Sequence, residues 1–243
     1  MSLRKTHLVF GEIYHIYNRG VDKRNIFMDD DDRFRFVHDL FEFNDKNPTI
    51  NLALYLKSKN NKLKEVGLPN ITRKPREVLV EILAYCLMDN HFHLMVRQKT
   101  ENGITEFMRK LGTGYTNYFN KKYERTGALF QGKFKSVNLK KDSHLMYLPI
   151  YIHLNPLDYK FKEWREGKIN DLEKAIDFLN KYRWSSYLDY VGQKNFPSII
   201  KKDFLLHRLG GEEKQKKEIL NWIESFNLKN NENLPQEVIL DME

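Results

Sequence analysis

Cysteine is almost absent from this chain. Cys86 is the single cysteine among the 243 residues, so no internal disulfide can form. Disulfides persist in oxidising compartments and are rare in the cytosol. The composition therefore favours a protein of the reducing cytoplasm.

Long apolar runs are also lacking. The longest, residues 78–88, contains Glu81 and is far shorter than the roughly 20 residues that a membrane-spanning helix needs. The N-terminal residues 1–7 lead into only three apolar residues before Gly11, too few for a signal peptide. We expect a soluble, cytoplasmic protein without a membrane partner.

Negative charge is scarce in the middle of the chain. The protein carries a net charge of +8, and residues 109–141 hold nine Lys or Arg against the single acid Glu124. The excess positive charge therefore lies in one segment. A solvated helix face normally mixes both signs, so a segment of one sign favours a phosphate backbone as its partner.

The most informative stretch that is present spans residues 78–97. It predicts a strand at 78–88, a tight turn at Asp89-Asn90 and a second strand at 91–97. Side chains alternate along a strand, so His91 and His93 share one face while Phe92 lies on the other. Two imidazoles on a rigid strand are a preset pair of metal ligands. The alternative, commoner for an isolated His-x-His, is a pair of half-buried structural histidines.

Periodicity and turn residues predict the remaining elements. They are a strand at 7–17; a helix that follows the four aspartates 29–32, with Phe34, Val37, Leu40 and Phe41 as its core face; a helix at 102–123; a strand at 133–137; a helix from Asp142-Ser143 to Asn155; and two short helices near 201–209 and 213–226.

The helix before Pro156 holds a second candidate pair. Tyr151 and Asn155 are four residues apart and share a face. A divalent metal held by two imidazoles and one amide oxygen would polarise a phosphate, and metal and cations together would stabilise a tyrosine phenolate as nucleophile. His153 is a rival ligand, although it points away from Tyr151 on a helix. Tyr147 is the alternative nucleophile on the Tyr151 face.

Ten basic side chains are candidates for nucleic-acid contact. Those in the loop after the first strand are equally explained as a solvated loop, and the lysines of the 133–137 strand as edge-strand solubilisers. The ten are Arg19, Lys23 and Arg24 in that loop, and Arg109, Lys110, Lys121, Lys122, Arg125, Lys133 and Lys135 in the basic segment.

These motifs resemble a known family. His91-Phe92-His93 is similar to the His-hydrophobic-His signature of the single-tyrosine HUH transposases, the IS200-like group. Four further segments resemble its branch of REP-associated tyrosine transposases: residues 14–20 (YHIYNRG), 127–136 (GALFQGKFKS), 151–156 (YIHLNP) and 184–187 (WSSY). The resemblance covers residues 8 to 192. Asp89 departs from it, because the family usually has proline there. Pro149, two residues before Tyr151, would kink a continuous helix or restart one as its first-turn residue.

The resemblance implies an architecture. It implies an α+β HUH endonuclease fold, which is a ferredoxin-like antiparallel sheet with packed helices, plus a small C-terminal helical lobe. The catalytic domain would span residues 1–160, with a variable insertion at about 44–77, and a helical extension would span 161–243.

The resemblance also implies a chemistry. Tyr151 would be the catalytic nucleophile, and His91, His93 and Asn155 would bind Mg²⁺ or Mn²⁺. The substrate would be single-stranded DNA with a hairpin, either a repetitive extragenic palindrome or a transposon end. It would be cut and rejoined through a 5′-phosphotyrosine, and a homodimer is compatible with the family.

Three other classes of function remain open at this point. One is a non-catalytic DNA-hairpin-binding protein derived from such a transposase. Another is a nucleotide hydrolase of the His-x-His-x-His type, although Met95 occupies its third position. The last is a purely structural role for the two histidines.

Overall fold

The computed structural model describes residues 7–47 and 75–211, together with 213, 214, 217, 218 and 221. Most of the insertion predicted at 44–77, and most of the helix predicted at 213–226, lie outside the described residues.

Four strands form one sheet, and every neighbouring pair is antiparallel in the order β2-β3-β1-β4. In the described residues, an α-helix lies between β1 and β2, and another lies between β3 and β4. This β-α-β-β-α-β order with that strand arrangement is the ferredoxin-like α+β topology that the resemblance implies. The elements are β1 (Ile13–Arg19), α1 (Asp30–Glu42), β2 (Val80–Met88), β3 (His91–Gln98), α2 (Gly103–Lys122) and β4 (Lys135–Asn138).

The central hairpin is confirmed. The two-residue turn Asp89-Asn90 joins β2 to β3, as the sequence predicts. Arg33 of α1 donates to Asp89 Oδ1 at 2.5 Å, and the Tyr159 hydroxyl donates to the same oxygen at 2.8 Å. The turn that precedes His91 is therefore held from two sides of the molecule.

α1 and α2 cover the face of the sheet that carries Phe92. The rings of Phe36 and Phe92 lie 5.1 Å apart, and Tyr115 of α2 packs edge-on against Phe36 at 4.9 Å. The prediction that Phe34 belongs to this core is wrong, because Phe34 is 42% exposed and Phe36 is fully buried. Phe34 and Phe36 are two residues apart on the helix, which is a rotation of about 200°. Phe34 therefore points to the other side and packs on Trp184.

The four aspartates begin α1 as predicted. The side chain of Asp29 accepts from the backbone N–H of Asp32 at 2.9 Å, which caps the helix. Asp32 itself is fully buried and accepts from Lys122 of α2 at 2.8 Å. Asp29 and Asp32 are therefore structural residues that join the two helices through Lys122.

A third helix, α3 (Asp142–Leu154), packs on the opposite face of the sheet, against β2 and β3. It continues through Pro149, and the chain then forms a 3₁₀ helix at Asn155–Tyr159. Asn155 has helical angles (φ −50°, ψ −38°), so Pro156 does not displace it from the helical region. Proline is tolerated there because the first positions of a helix need no backbone N–H.

The chain after residue 160 lies against the β2 edge. Leu87 N–H donates to the Trp184 carbonyl at 2.9 Å, and Ser186 N–H donates to the Tyr85 carbonyl at 3.0 Å. The domain boundary at 160 stays a prediction, and residues beyond it contact the sheet directly. This part contains a 3₁₀ helix (Lys162–Glu166), α4 (Leu172–Lys181), α5 (Tyr187–Tyr190) and α6 (Asp203–Leu209).

None of the helices in the described parts of the chain combines the length and the apolar character that crossing a membrane requires.

Candidate active site

Strand register brings the candidate residues to one face of the sheet. Arg19 of β1 lies opposite His91, and Tyr17 lies opposite His93. On the other side of β1, Lys135 of β4 lies opposite Tyr17. Residues that are paired directly share a face, so these five side chains lie on the side that α3 covers.

The two histidines form a compact pair. Their ring centroids are 4.9 Å apart, and His93 is buried whereas His91 is partly exposed. His91 Nδ1 lies 2.6 Å from Asn90 Oδ1, and His93 Nδ1 lies 2.9 Å from His15 Nε2. Because both Nδ1 atoms are engaged by neighbours, Nε2 is the nitrogen that each ring can offer to a metal.

Both rings are held in the form that binds metal. Burial, reinforced by the charge of Arg19, lowers the pKa of His91 to about 4. Burial, with further contributions from His91 and His15, lowers the pKa of His93 well below its ordinary value. Neutral imidazole is the ligating species, so the site needs no deprotonation at pH 7.

Tyr151 of α3 meets this pair from above the sheet, and Asn155, the first residue of the 3₁₀ helix that follows, is bonded to Tyr151. The Tyr151 hydroxyl donates to Asn155 Oδ1 at 3.2 Å, and Asn155 Nδ2 donates to the Tyr151 carbonyl at 2.8 Å. The Tyr151 ring is T-shaped to that of His93, with centroids 5.9 Å apart. Tyrosine, amide and imidazole therefore form a continuous cluster, and the side chains of Tyr151 and Asn155 are both fully buried.

The rival residues lie elsewhere. His153 Nε2 lies 2.8 Å from the Ser186 hydroxyl, and its ring packs against Tyr190 at 5.0 Å. The structure thus directs His153 away from Tyr151, as the spacing argument predicts. Tyr147 is only partly buried, one helical turn before Tyr151.

The donor set fits a divalent cation. Two neutral imidazoles and an amide oxygen are acceptable ligands, although nitrogen ligands suit Mn²⁺ better than Mg²⁺. Asn155 Nδ2 is engaged by the Tyr151 carbonyl, and Oδ1 is the amide atom that accepts from the Tyr151 hydroxyl. In the described parts of the chain, no three His, Cys, Asp or Glu side chains form a group that could hold a metal. The predicted set contains only two residues of those types.

Arg165 is a further cluster residue that no sequence pattern indicated. Its Nε and Nη2 donate to the two oxygens of Asp158 at 2.9 and 2.5 Å, and Nη2 lies 3.5 Å from Asn155 Oδ1. The guanidinium carbon is 5.8 Å from the centre of the Tyr151 ring. Trp164 adds a bond from its indole N–H to Asp158 Oδ1 at 2.6 Å. Trp164 and Arg165 reach Tyr151 because the 3₁₀ helix Lys162–Glu166 packs back onto α3.

Opposing influences act on the Tyr151 hydroxyl. Burial raises its pKa, whereas the positive charge and hydrogen bond of Arg165 and the bond to Asn155 act in the other direction. The balance stays on the raised side, so Tyr151 is a neutral phenol in this arrangement.

Residues 57–155 match the model of the family described as "Transposase IS200 like". This match confirms, over the matched segment, the family resemblance that the motifs predict. The segment is less than half of the chain, and it contains both histidines, Tyr151 and Asn155.

A solved structure described as a REP-associated tyrosine transposase bound to a REP hairpin aligns with a TM-score of 0.48 and 11% identity, over 84% of this chain and 93% of that chain. No curated protein matches the chain.

The basic residues predicted to contact DNA fall into separate places. Arg19 and Lys135 lie on the histidine face, where burial and the charge of Arg19 lower the pKa of Lys135. Lys23 and Arg24 are exposed in the turn that follows β1. The remaining residues lie on or near α2, on the other side of the sheet: Arg109, Lys110, Lys121, Lys122, Arg125 and Lys133.

Some of the α2 residues have structural partners. Lys122 donates to Asp29 and Asp32, both at 2.8 Å. Lys110 donates to the Asp45 carbonyl at 2.6 Å and to Glu106 at 2.8 Å. Their charges are therefore partly committed to holding α1 and α2 together.

β4 begins at Lys135, two residues later than predicted. Lys133 precedes it and, with Arg109, lines a cavity of about 450 Å³ between α2 and residues 128–134. Lys135 lies over the Tyr17 ring at 5.7 Å. Of these two lysines, Lys135 is therefore the one on the histidine face.

Proposed function

We propose that this chain is a metal-dependent single-stranded DNA endonuclease and transposase that cuts and rejoins DNA near a hairpin through a 5′-phosphotyrosine on Tyr151. One observation carries the proposal. The Tyr151 hydroxyl is bonded to Asn155 and its ring contacts His93, so nucleophile and metal-ligand candidates form one cluster.

The reaction is a transesterification. A bond forms between Tyr151 Oη and the scissile phosphorus, and the bond from phosphorus to the 3′ oxygen breaks. The phenolic proton passes to solvent, and the departing 3′ oxygen takes one up. Attack by a 3′ hydroxyl on the phosphotyrosine reverses these steps and rejoins the strand.

The protein residues have distinct tasks in this scheme. His91, His93 and Asn155 would hold Mg²⁺ or Mn²⁺, which supplies Lewis-acid polarisation of the phosphate when bound. Asn90 and His15 orient the two imidazole rings through their Nδ1 atoms. Orientation by such neighbours typically affects metal affinity about 10–100-fold.

The DNA partner is proposed on charge and motif. Arg19 and Lys135 lie on the same face as the histidine pair, so a strand bound there would meet two cations beside the cluster. The motif resemblance to REP-associated transposases supports a hairpin next to the cut site. A homodimer stays a prediction.

The test uses a labelled single-stranded DNA with a hairpin, incubated with Mn²⁺ and run on a denaturing gel. The wild-type protein and the control Tyr147→Phe should give a covalent protein–DNA band. Tyr151→Phe should give none while still binding the hairpin, because it loses only one oxygen. A covalent band in Tyr151→Phe at the wild-type level would refute the assignment of the nucleophile.

A second candidate, a non-catalytic hairpin-binding protein, is favoured by one observation. The Tyr151 side chain is fully buried in this structure, with its hydroxyl engaged by Asn155. Tight hairpin binding without a covalent band in the wild-type protein would establish this alternative.

A further inference from the structure

Arg165 is more exposed than the candidate nucleophile that it lies beside. Tyr151 is fully buried, whereas about a quarter of the Arg165 side chain (24%) is exposed. Arg165 therefore offers exposed surface to an incoming phosphate, whereas Tyr151 offers none in this structure.

We propose that Arg165 binds the scissile phosphate of the DNA and is a catalytic residue of this site. This inference rests on the proposed function. It adds to the histidines, Tyr151 and Asn155 a residue from the chain after position 160, which no motif of the sequence indicates.

The first support is position. Arg165 Nη2 lies 3.5 Å from Asn155 Oδ1, the same atom that accepts from the Tyr151 hydroxyl at 3.2 Å. The guanidinium and the Tyr151 hydroxyl, whose oxygen would attack phosphorus, therefore both contact the same Asn155 oxygen. A phosphate placed for attack by Tyr151 would have its non-bridging oxygens within reach of this cation.

The second support is pre-organisation. Asp158 accepts two bonds from Arg165, and Asp158 is itself held by the Trp164 indole at 2.6 Å. A guanidinium has five N–H donors in a rigid plane, so it can keep its carboxylate partner and still donate to a phosphate. Asp158 and Trp164 act on the phosphate only through Arg165 and are positioning residues.

The third support is chemistry. Charge builds up on the non-bridging phosphate oxygens as the bond to Tyr151 forms, and a fixed cation at that place stabilises the transition state more than the ground state. Arginine suits this task because its fork of donors matches two phosphate oxygens. The ion pair with Asp158 is partly exposed, so it contributes little to folding by itself.

The experiment compares two substrates that differ only at the scissile position. One carries the normal phosphodiester, and the other carries a methylphosphonate, in which a neutral methyl group replaces one charged oxygen. Single-turnover formation of the covalent adduct is measured with Mn²⁺ for the wild-type protein, Arg165→Ala and Arg165→Lys. Arg208→Ala is the matched control, because Arg208 also forms an ion pair, with Asp142 at the opposite end of α3, at 3.0 Å.

Arg165→Ala should slow adduct formation about 100-fold or more on the phosphodiester, as loss of one transition-state donor does. On the methylphosphonate, the same substitution should slow adduct formation less than about 10-fold, because the negative charge that Arg165 binds is absent from this substrate. Arg165→Lys should recover part of the rate on the phosphodiester, and Arg208→Ala should match the wild type on both. If Arg165→Ala does not fold, Arg165→Lys decides the question by the same substrate comparison.

An equal loss on both substrates, or no loss, would overturn the role of Arg165 while leaving Tyr151 as nucleophile. No adduct from the wild-type protein on the phosphodiester would overturn the proposed function together with this inference. The two failures are therefore distinguishable within one experiment.

Discussion

The two faces of the sheet use the same strands for opposite purposes. On the face covered by α1 and α2, Phe92 packs among Phe36 and other aromatic rings. On the face covered by α3, the neighbouring side chains His91 and His93 contact polar partners instead. One strand with alternating residues thus separates a packing core from a polar cluster.

The polar cluster is costly for folding. Burying polar groups gives less stability than burying apolar ones, even when they are hydrogen-bonded. His15, His93, Tyr151 and Asn155 are all buried on this face. A protein without a use for these groups would be more stable with apolar side chains there, and this contrast supports a functional site.

The largest effect should come from the packing face. Phe92→Ala should lower the free energy of unfolding by about 3–5 kcal/mol, because it removes a fully buried ring from an aromatic cluster. Chemical denaturation measures this. The folded fraction should keep its affinity for Mn²⁺, and a selective loss of Mn²⁺ binding would contradict the division between the faces.

The next effect concerns the polar face. His91→Ala should weaken Mn²⁺ binding by about 100-fold or more. Loss of a residue that only orients a metal ligand already weakens binding by about 10–100-fold, and loss of a ligand should cost at least as much. The side chain is partly exposed, so unfolding in the absence of metal should change by no more than about 1 kcal/mol. Calorimetric titration with Mn²⁺ measures the affinity. Unchanged affinity would remove His91 from the ligand set.

A smaller effect is acid destabilisation. Burial lowers the pKa of His153 to about 3 in the folded protein. At pH values between about 3 and about 6.5, which is the ordinary pKa of histidine, His153 is protonated in the unfolded chain and neutral in the folded protein. Stability therefore falls as the pH drops through this range. From pH 7.5 to 5.5, His153 accounts for a loss of about 1.4 kcal/mol.

His153→Gln tests this effect, because it removes the titration and can still bond to Ser186. Denaturation at both pH values should show a loss about 1.4 kcal/mol smaller than in the wild type. His7→Gln, at an exposed position, is the control. An unchanged pH dependence in His153→Gln would show that this histidine does not stay neutral in the fold.

The smallest effect concerns the charges around the sheet. Replacing Lys135 by Ala should reduce the slope of log affinity against log salt by about 1 if it neutralises one DNA phosphate on the histidine face. Lys122→Ala should leave the slope unchanged and lower the melting temperature, because Lys122 pairs with Asp29 and Asp32. A reduced slope in Lys122→Ala with an unchanged slope in the Lys135 variant would instead place the DNA along α2.

Local patterns predicted the parts of the fold that depend on neighbours in sequence. Alternation predicted the shared face of His91 and His93, and the four-residue spacing predicted that of Tyr151 and Asn155. The error at Phe34 arose because both Phe34 and Phe36 continue an apolar helical pattern, and only tertiary packing decides between them.

The positions of Arg165 and His15 beside the cluster could not be predicted from local sequence patterns, because each depends on tertiary packing. His15 contacts His93 through strand pairing, and Arg165 reaches Tyr151 because a 3₁₀ helix folds back onto α3. Similarly, Lys122 appeared as one of many lysines in a basic segment, and its pairing with Asp32 depends on how α1 packs against α2.

The most direct measurement is the site of covalent attachment. The adduct formed with hairpin DNA and Mn²⁺ would be digested with nuclease and protease, and the modified peptide identified by mass spectrometry. The account predicts a nucleotide joined through its phosphate to Tyr151 alone. Attachment at Tyr147, Tyr159 or any other residue would contradict it, because the chemistry would then not belong to the cluster that His93, Asn155 and Arg165 form around Tyr151.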